Sequence, residues 1–273
     1  MLKITQKNAF EVAKGLGRRT YFCSPFVLLA EASGYEKIDG ELLVYVHDRV
    51  ENIEGQFVMP SKIELIRKKS ITFVSEQELA MLRKKSVPIK EVISLGHEYI
   101  YSAGDLVSME GSKFKAFRKR VNQFTSKHQF KVLHEYPKEK IKEFIRTWAK
   151  SKDLSTYSED ARKEFLWDLD ACIEYVDYIG VLPTKNVFVE VSGTLAGFAM
   201  THPFLPNFFI GLQQKVDIKY PGISRFLYHE KAKLYPPDYR FSIGMAASTP
   251  GLETFKEELQ PIEKVLWYTV NLK

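Results

Sequence analysis

At 273 residues, with 45% hydrophobic and 13% aromatic side chains, the chain can bury one large core or two of ordinary size, and its 27% charged fraction excludes a disordered polyelectrolyte. No apolar run approaches the ~18 residues of a membrane-spanning helix, and the N-terminal MLKITQKNAFEVAKGLGRR argues against a signal peptide because it lacks an apolar region and a cleavage pattern. The net charge of +6 is local: seven Lys/Arg and no Asp or Glu lie between Gly111 and Lys131, which leaves −1 for everything else and points to one anionic partner surface.

In chain order, residues 6–16 read as a short helix on Ala9, Phe10, Val12, Ala13 and Leu16. Phe22 to Ala32 reads as a second helix, begun by Ser24-Pro25 as cap and first-turn proline. Glu41 to His47 and Gly55 to Met59 read as strands, as does Ile71 to Val74. Ser75 and Glu78 form a capping-box pattern for a helix over 76–85, and Glu91 to Leu95 closes a small mixed unit at residues 1–96. This unit carries no chemical motif; Tyr21, His47 and Asp48 are read as core or surface residues. Cys23 and Cys172 stand far apart and read as reduced thiols of a cytoplasmic protein, and the six histidines lack ligand spacing, so no metal is expected.

Residues 97–127 form a connecting segment. His97 to Ser102 is short, aromatic and extended, with Tyr99 and Tyr101 expected to pack rather than react, and Asp105 begins one helical turn. Phe114, Phe117, Val121 and Phe124 then mark one face of a helix. Lys115, Arg118, Lys119, Arg120 and Asn122 occupy its other faces with a single sign of charge, which fits contact with phosphates better than the mixed signs of an ordinary solvated face. No basic–aromatic alternation accompanies it, so backbone contact is expected rather than base reading.

From residue 128 to 273 the order is strand (129–136), helix from Pro137, helix (158–177), and two strands (186–191, 194–200) joined by Ser192-Gly193. An apolar strand at Phe208 follows, then the turn Lys219-Tyr220-Pro221-Gly222, a helix on Ile223, Phe226, Leu227 and Leu234, a strand (239–245), a helix after Thr249-Pro250, and a last strand (262–270). A strand, a Pro-Gly turn and a helix together aim free N–H groups and a positive dipole end at one point, a setting that binds phosphate.

This order resembles the GNAT acyltransferase fold. The turn Lys219-Tyr220-Pro221-Gly222-Ile223-Ser224 stands where that fold carries its pyrophosphate loop, with Lys219 replacing Gln or Arg and Ser224 the last small residue. With His97-Glu98-Tyr99-Ile100-Tyr101-Ser102, Asp105-Leu106, Gly111-Ser112-Lys113, Arg118-Lys119-Arg120 and Asn122-Gln123-Phe124, the chain resembles the phosphatidylglycerol lysyltransferase C-terminal-domain family, over residues 20–270. The resemblance implies an α+β protein of tandem GNAT-like (acyl-CoA N-acyltransferase) domains related to the Fem aminoacyltransferases. Each domain is a mixed, mostly antiparallel sheet flanked by helices. Residues 1–96 are the partial unit, and 128–273 the acyltransferase domain.

It further implies acyl transfer without a covalently bound cofactor: an aminoacyl group moves from aminoacyl-tRNA to an amine or hydroxyl acceptor, either a small molecule or a lipid headgroup. The donor site is then Gln213, Lys215, Lys219, Gly222, Ile223 and Ser224; Asp217 is the first choice for base and Glu190 the second; Lys256 joins Lys115, Arg118, Lys119, Arg120 and Asn122 in contacting tRNA or another anion. Two alternatives stay open. One is an N-acyltransferase using acyl-CoA or an acyl carrier, whose acidic carrier protein meets the basic helix. The other is an inactive GNAT-fold binding protein, because Gly244 to Pro250 lacks the carboxylates the family carries there and Phe255 stands where acyl-CoA enzymes often place tyrosine.

Overall fold

A computed structural model describes residues 1–48, 53–246 and 251–273 and, within them, all side chains but those of residues 47, 48, 53, 54 and 160. The readings of His47 and Asp48 and of the Thr249-Pro250 cap therefore fall outside the described residues. In chain order the elements are α1 (Ala9–Leu16), α2 (Pro25–Glu31), β1 (Ala32–Ile38), β2 (Glu41–Asp48), β3 (Ile53–Gln56), β4 (Ser70–Ser75), α3 (Glu76–Lys84), β5 (Ile89–Ser102), α4 (Ala103–Ser108), α5 (Lys115–Lys127), β6 (Phe130–Leu133), α6 (Lys138–Lys150), α7 (Glu159–Asp177), β7 (Lys185–Val191), β8 (Thr194–Leu205), β9 (Phe208–Val216), α8 (Ile223–Ala232), β10 (Arg240–Met245), α9 (Leu252–Glu258) and β11 (Glu263–Leu272).

The chain forms two compact units, Met1–Glu98 with Lys264–Lys273, and Tyr99–Glu263. The boundaries differ from those expected. The aromatic segment and basic helix belong to the second unit, because Tyr99, Tyr101, Phe114, Phe117, Val121 and Phe124 share its core with Phe226 and Leu227. The final strand belongs to the first, where Val270 packs with Ile71, Val74 and Leu82.

In the first unit the strand order is β1-β2-β3-β4-β11. The Ser75 and Glu78 capping box forms as its sequence implies, and the Ser24 side chain accepts from the Val27 N–H at the start of α2. Strand β1 was not expected. It pairs antiparallel with β2 across Asp39-Gly40, both at positive φ (51° and 83°). The buried carboxylate of Glu98 accepts from Thr20 Oγ1 (2.6 Å), the Tyr21 N–H (2.7 Å) and Trp267 Nε1 (2.8 Å), which answers its burial with hydrogen bonds.

In the second unit the order is β10-β9-β8-β7-β6, antiparallel except for the β9–β10 pair. Val187, Val189 and Val191 turn toward the core shared with α5 and α8. Phe188 alternates to the other face, where it stacks near Tyr136 (5.5 Å) and Phe198 (6.3 Å), with Phe144 of α6 behind Phe198 (6.1 Å). Strand β9 is irregular in two ways. Its register against β8 slips between Met200↔Gln213 and Thr201↔Gly211, so Leu212 is an extra residue in a bulge. Its parallel pairing with β10 runs only from Phe208↔Arg240 to Ile210↔Ser242, after which β9 continues to Val216 without that partner.

Candidate functional site

The turn after β9 is tied by its own polar groups and by groups of β8 and β9. The Asp217 N–H donates to the Ala196 carbonyl (2.8 Å). Asp217 Oδ1 accepts from the Lys219 N–H (3.1 Å) and Oδ2 pairs with Lys219 Nζ (2.8 Å), so Lys219 is bound to its neighbour rather than waiting for a ligand. The Ile223 N–H closes onto the Tyr220 carbonyl (3.2 Å), and Ser224 Oγ accepts from Gln214 Nε2 (3.1 Å).

Gly222 caps α8 with φ 94°, a conformation suited to glycine. A Cβ built there would run into the backbone carbonyl oxygen of Arg120 on α5, with Phe124 Cβ 3.3 Å away. The sequence pattern suggests that this glycine lets the backbone approach an anion. The structure gives it another reason, close packing of α5, and the group that meets it is a carbonyl oxygen.

The other expected donor residues are not gathered at this turn. The bulge sets the parity of the strand end: Gln214 faces α8, while Gln213 and Lys215 face α7. Gln213 Nε2 donates to Asp168 Oδ1 (2.9 Å) and Lys215 Nζ to Oδ2 (2.6 Å), with the Lys215 amine over the Trp148 ring (4.6 Å). Burial pushes the Lys215 pKa down, but Asp168 more than reverses this and leaves it above the usual lysine value. Glu190 lies on β7 and accepts from the Tyr136 hydroxyl (3.0 Å).

On α5, Lys115, Lys119, Arg120 and Asn122 are exposed, and Arg120 donates to Gln123 Oε1 (3.1 Å). Arg118 departs from the expectation. Its guanidinium donates to the carbonyls of Met109 and Gly111 (2.9 Å to Gly111) and so ties down the loop before the helix. Lys256 departs further. It is 4% exposed, and its ammonium donates to the carbonyls of Ile243 and Gly244 (2.9 Å each) and Met245, the end of β10. These carbonyls engage the amine from the end of β10, so Lys256 is fixed in the interior rather than held out to a ligand. Phe255, in place of a tyrosine, lies under the Arg225 guanidinium (3.8 Å).

Where β9 and β10 part, the structure puts a residue that the sequence pattern did not single out. Lys231 of α8 is 2% exposed. Its amine lies 3.5 Å from Gln214 Oε1 and 3.4 Å from the centre of the Tyr228 ring. Gly211, beside the bulge, leaves room for it; a Cβ there would stand 3.4 Å from Lys231 Nζ and 2.9 Å from Ile243 Cγ2. Burial first, and then the charge of Lys256, push the Lys231 pKa well below the usual lysine value. The signal was present: Lys231 follows Leu227 by four, so helical spacing sets a lysine on the apolar stripe of α8.

A mixed sheet whose parallel pair splays around a strand, turn and helix, with a bulge beside the splay, defines a GNAT-type transferase fold, here in tandem. The chain belongs to the family described as phosphatidylglycerol lysyltransferase, C-terminal, whose model matches residues 70–271. No curated protein matches it. Among solved structures it is similar to a conserved protein of unknown function from Bacteroides thetaiotaomicron (18% identity, TM-score 0.88, covering 99% of this chain and 98% of that one). It is also similar to L-PGS from Bacillus licheniformis (14%, 0.67, 100% and 93%) and to FemX (10%, 0.56, 97% and 96%). These likenesses establish the fold, and the family is a transferase family. Among the described residues no helix is long and apolar enough to cross a membrane, and no three His, Cys, Asp or Glu side chains are grouped to hold a metal.

Proposed function

We propose that the chain moves an aminoacyl group from aminoacyl-tRNA to an amine or hydroxyl acceptor. The observation that carries this reading is the joining of two features: the exposed, single-signed face of α5 and the turn at Gly222 are packed against each other through the Arg120 backbone. Phosphates tracked by Lys115, Lys119 and Arg120 bring a nucleic-acid 3′ end toward the β9–β10 splay. The alternative donor, acyl-CoA, needs the turn itself to receive a pyrophosphate. That is disfavoured by a carbonyl oxygen facing Gly222 and by Lys219 paired to Asp217.

In this reading the aminoacyl ester carbonyl lies beside the parting of β9 and β10, next to the bulge at Leu212. The leaving group is a ribose hydroxyl, so positioning supplies much of the rate. Asp217 holds the shape of the turn, and Glu190 stays with Tyr136. The test is transfer of a labelled amino acid from charged tRNA to a panel of amines, hydroxyl compounds and lipid vesicles, run beside acyl-CoA donors. Acceptor-dependent loss of label from tRNA is expected. Turnover of acyl-CoA alone contradicts the reading.

A further inference from the structure

The transfer reaction needs a group that takes a proton from the attacking acceptor, and the carboxylates singled out for it are already engaged. Asp217 is neutralised by Lys219, and Glu190 is held by Tyr136. Lys256 is fixed in the interior by the carbonyls that end β10. Lys231 differs from all three. It is buried in the splay between β9 and β10, beside Gly211 and so one residue from the bulge.

Its surroundings are specific. Gln214 faces it from β9, Tyr228 from its own helix and the Phe241 ring from β10 (5.7 Å), and the charge acting on it is that of Lys256 on α9. A buried ammonium without a carboxylate is costly, and one ring face and one amide oxygen offset that cost only in part. Lys256, held as a cation nearby, further disfavours a second positive charge.

We propose that Lys231 is the general base and then the general acid of aminoacyl transfer, an inference that rests on the proposed aminoacyl-tRNA donor. The acceptor oxygen or nitrogen bonds to the ester carbonyl carbon and gives its proton to the Lys231 amine. The oxyanion collapses, the bond from the carbonyl carbon to the ribose oxygen breaks, and the Lys231 ammonium passes the same proton to that oxygen. The lysine ends neutral, as it began, and no other reactant is consumed. Gln214 positions the amine: its amide nitrogen is fixed by Ser224, which turns its oxygen toward Lys231.

Lys231→Met fills the same space with an apolar chain, so loss of activity in it is not loss of fold. The expected kcat is at least ~100-fold lower, a typical contribution of a positioned base. The acid limb of the wild-type pH profile disappears in this variant, and Lys231→Ala regains activity with added methylamine. Nitrogen-15 NMR of the intact protein, assigned with Lys231→Met, reads the amine directly as neutral at pH 7.5. A charged Lys231 at that pH, or Lys231→Met with wild-type kcat, overturns the proposal. Rates are measured with both aminoacyl-tRNA and acyl-CoA. Turnover with acyl-CoA alone overturns the donor reading, while Lys231 stands or falls on its variant with that donor.

Discussion

The turn at Asp217–Gly222 and the splay between β9 and β10 are neighbours on the same strand that treat their polar groups in opposite ways. At the turn Asp217 is answered by Lys219, and Ser224 at the start of α8 is answered by Gln214. In the splay a lysine amine is buried with one amide oxygen at 3.5 Å and an aromatic face. A satisfied turn is a structural joint, and a half-satisfied buried amine is a cost that folding does not need. Motif-like residues can therefore be used up in architecture while the reactive group stands a helical turn or two further on.

The most severe way to probe the joint is Gly222→Ala. The φ of 94° and the Arg120 carbonyl together make an added methyl destabilising, by about 2–5 kcal/mol from backbone strain plus overpacking. Urea denaturation reads this directly. A variant of wild-type stability with weakened donor binding would instead return Gly222 to the role of anion cradle.

The splay makes a prediction of opposite sign. Lys231 has a folded-state pKa lowered from 10.5, so between the two values the unfolded chain holds a proton that the native chain lacks. Stability there rises with pH. Lys231→Met is expected to melt above wild type at pH 7, with an advantage that widens toward the folded-state pKa and closes as pH approaches 10.5. Melting curves across pH check it; a constant difference would mean that the amine is not strained by burial.

The smallest effect belongs to the exposed pair of the turn. Asp217→Asn removes a charge partner from Lys219, whose side chain is 63% exposed, and should cost under ~1 kcal/mol and little activity. A large loss of kcat at unchanged stability would restore Asp217 as the base.

Much of this fold was legible because local signals agreed with the tertiary result. The Ser75 and Glu78 box, the Ser192-Gly193 hairpin and the apolar stripe of α8 each formed where the pattern set them. Strand β1 escaped because ASGYEKI has weak alternation, although the Asp39-Gly40 turn that pairs it was a readable signal. The site was less legible, for a physical reason. The bulge at Leu212 resets which face Gln213, Gln214 and Lys215 occupy, and no alternation rule anticipates that slip. Arg118 and Lys256 read as free cations because their acceptors are backbone carbonyls, which every sequence contains. The need for Gly222 depends on a helix packed from elsewhere in the chain, again invisible to a local pattern.

The salt dependence of tRNA binding tests the central claim most directly. Each phosphate contact contributes to the slope of log affinity against log salt, so replacing Lys115, Lys119 and Arg120 by Glu should weaken binding at least ~10-fold and flatten that slope by about three units. Wild-type affinity and slope in the triple variant would contradict the account, because the face of α5 would then carry no phosphate.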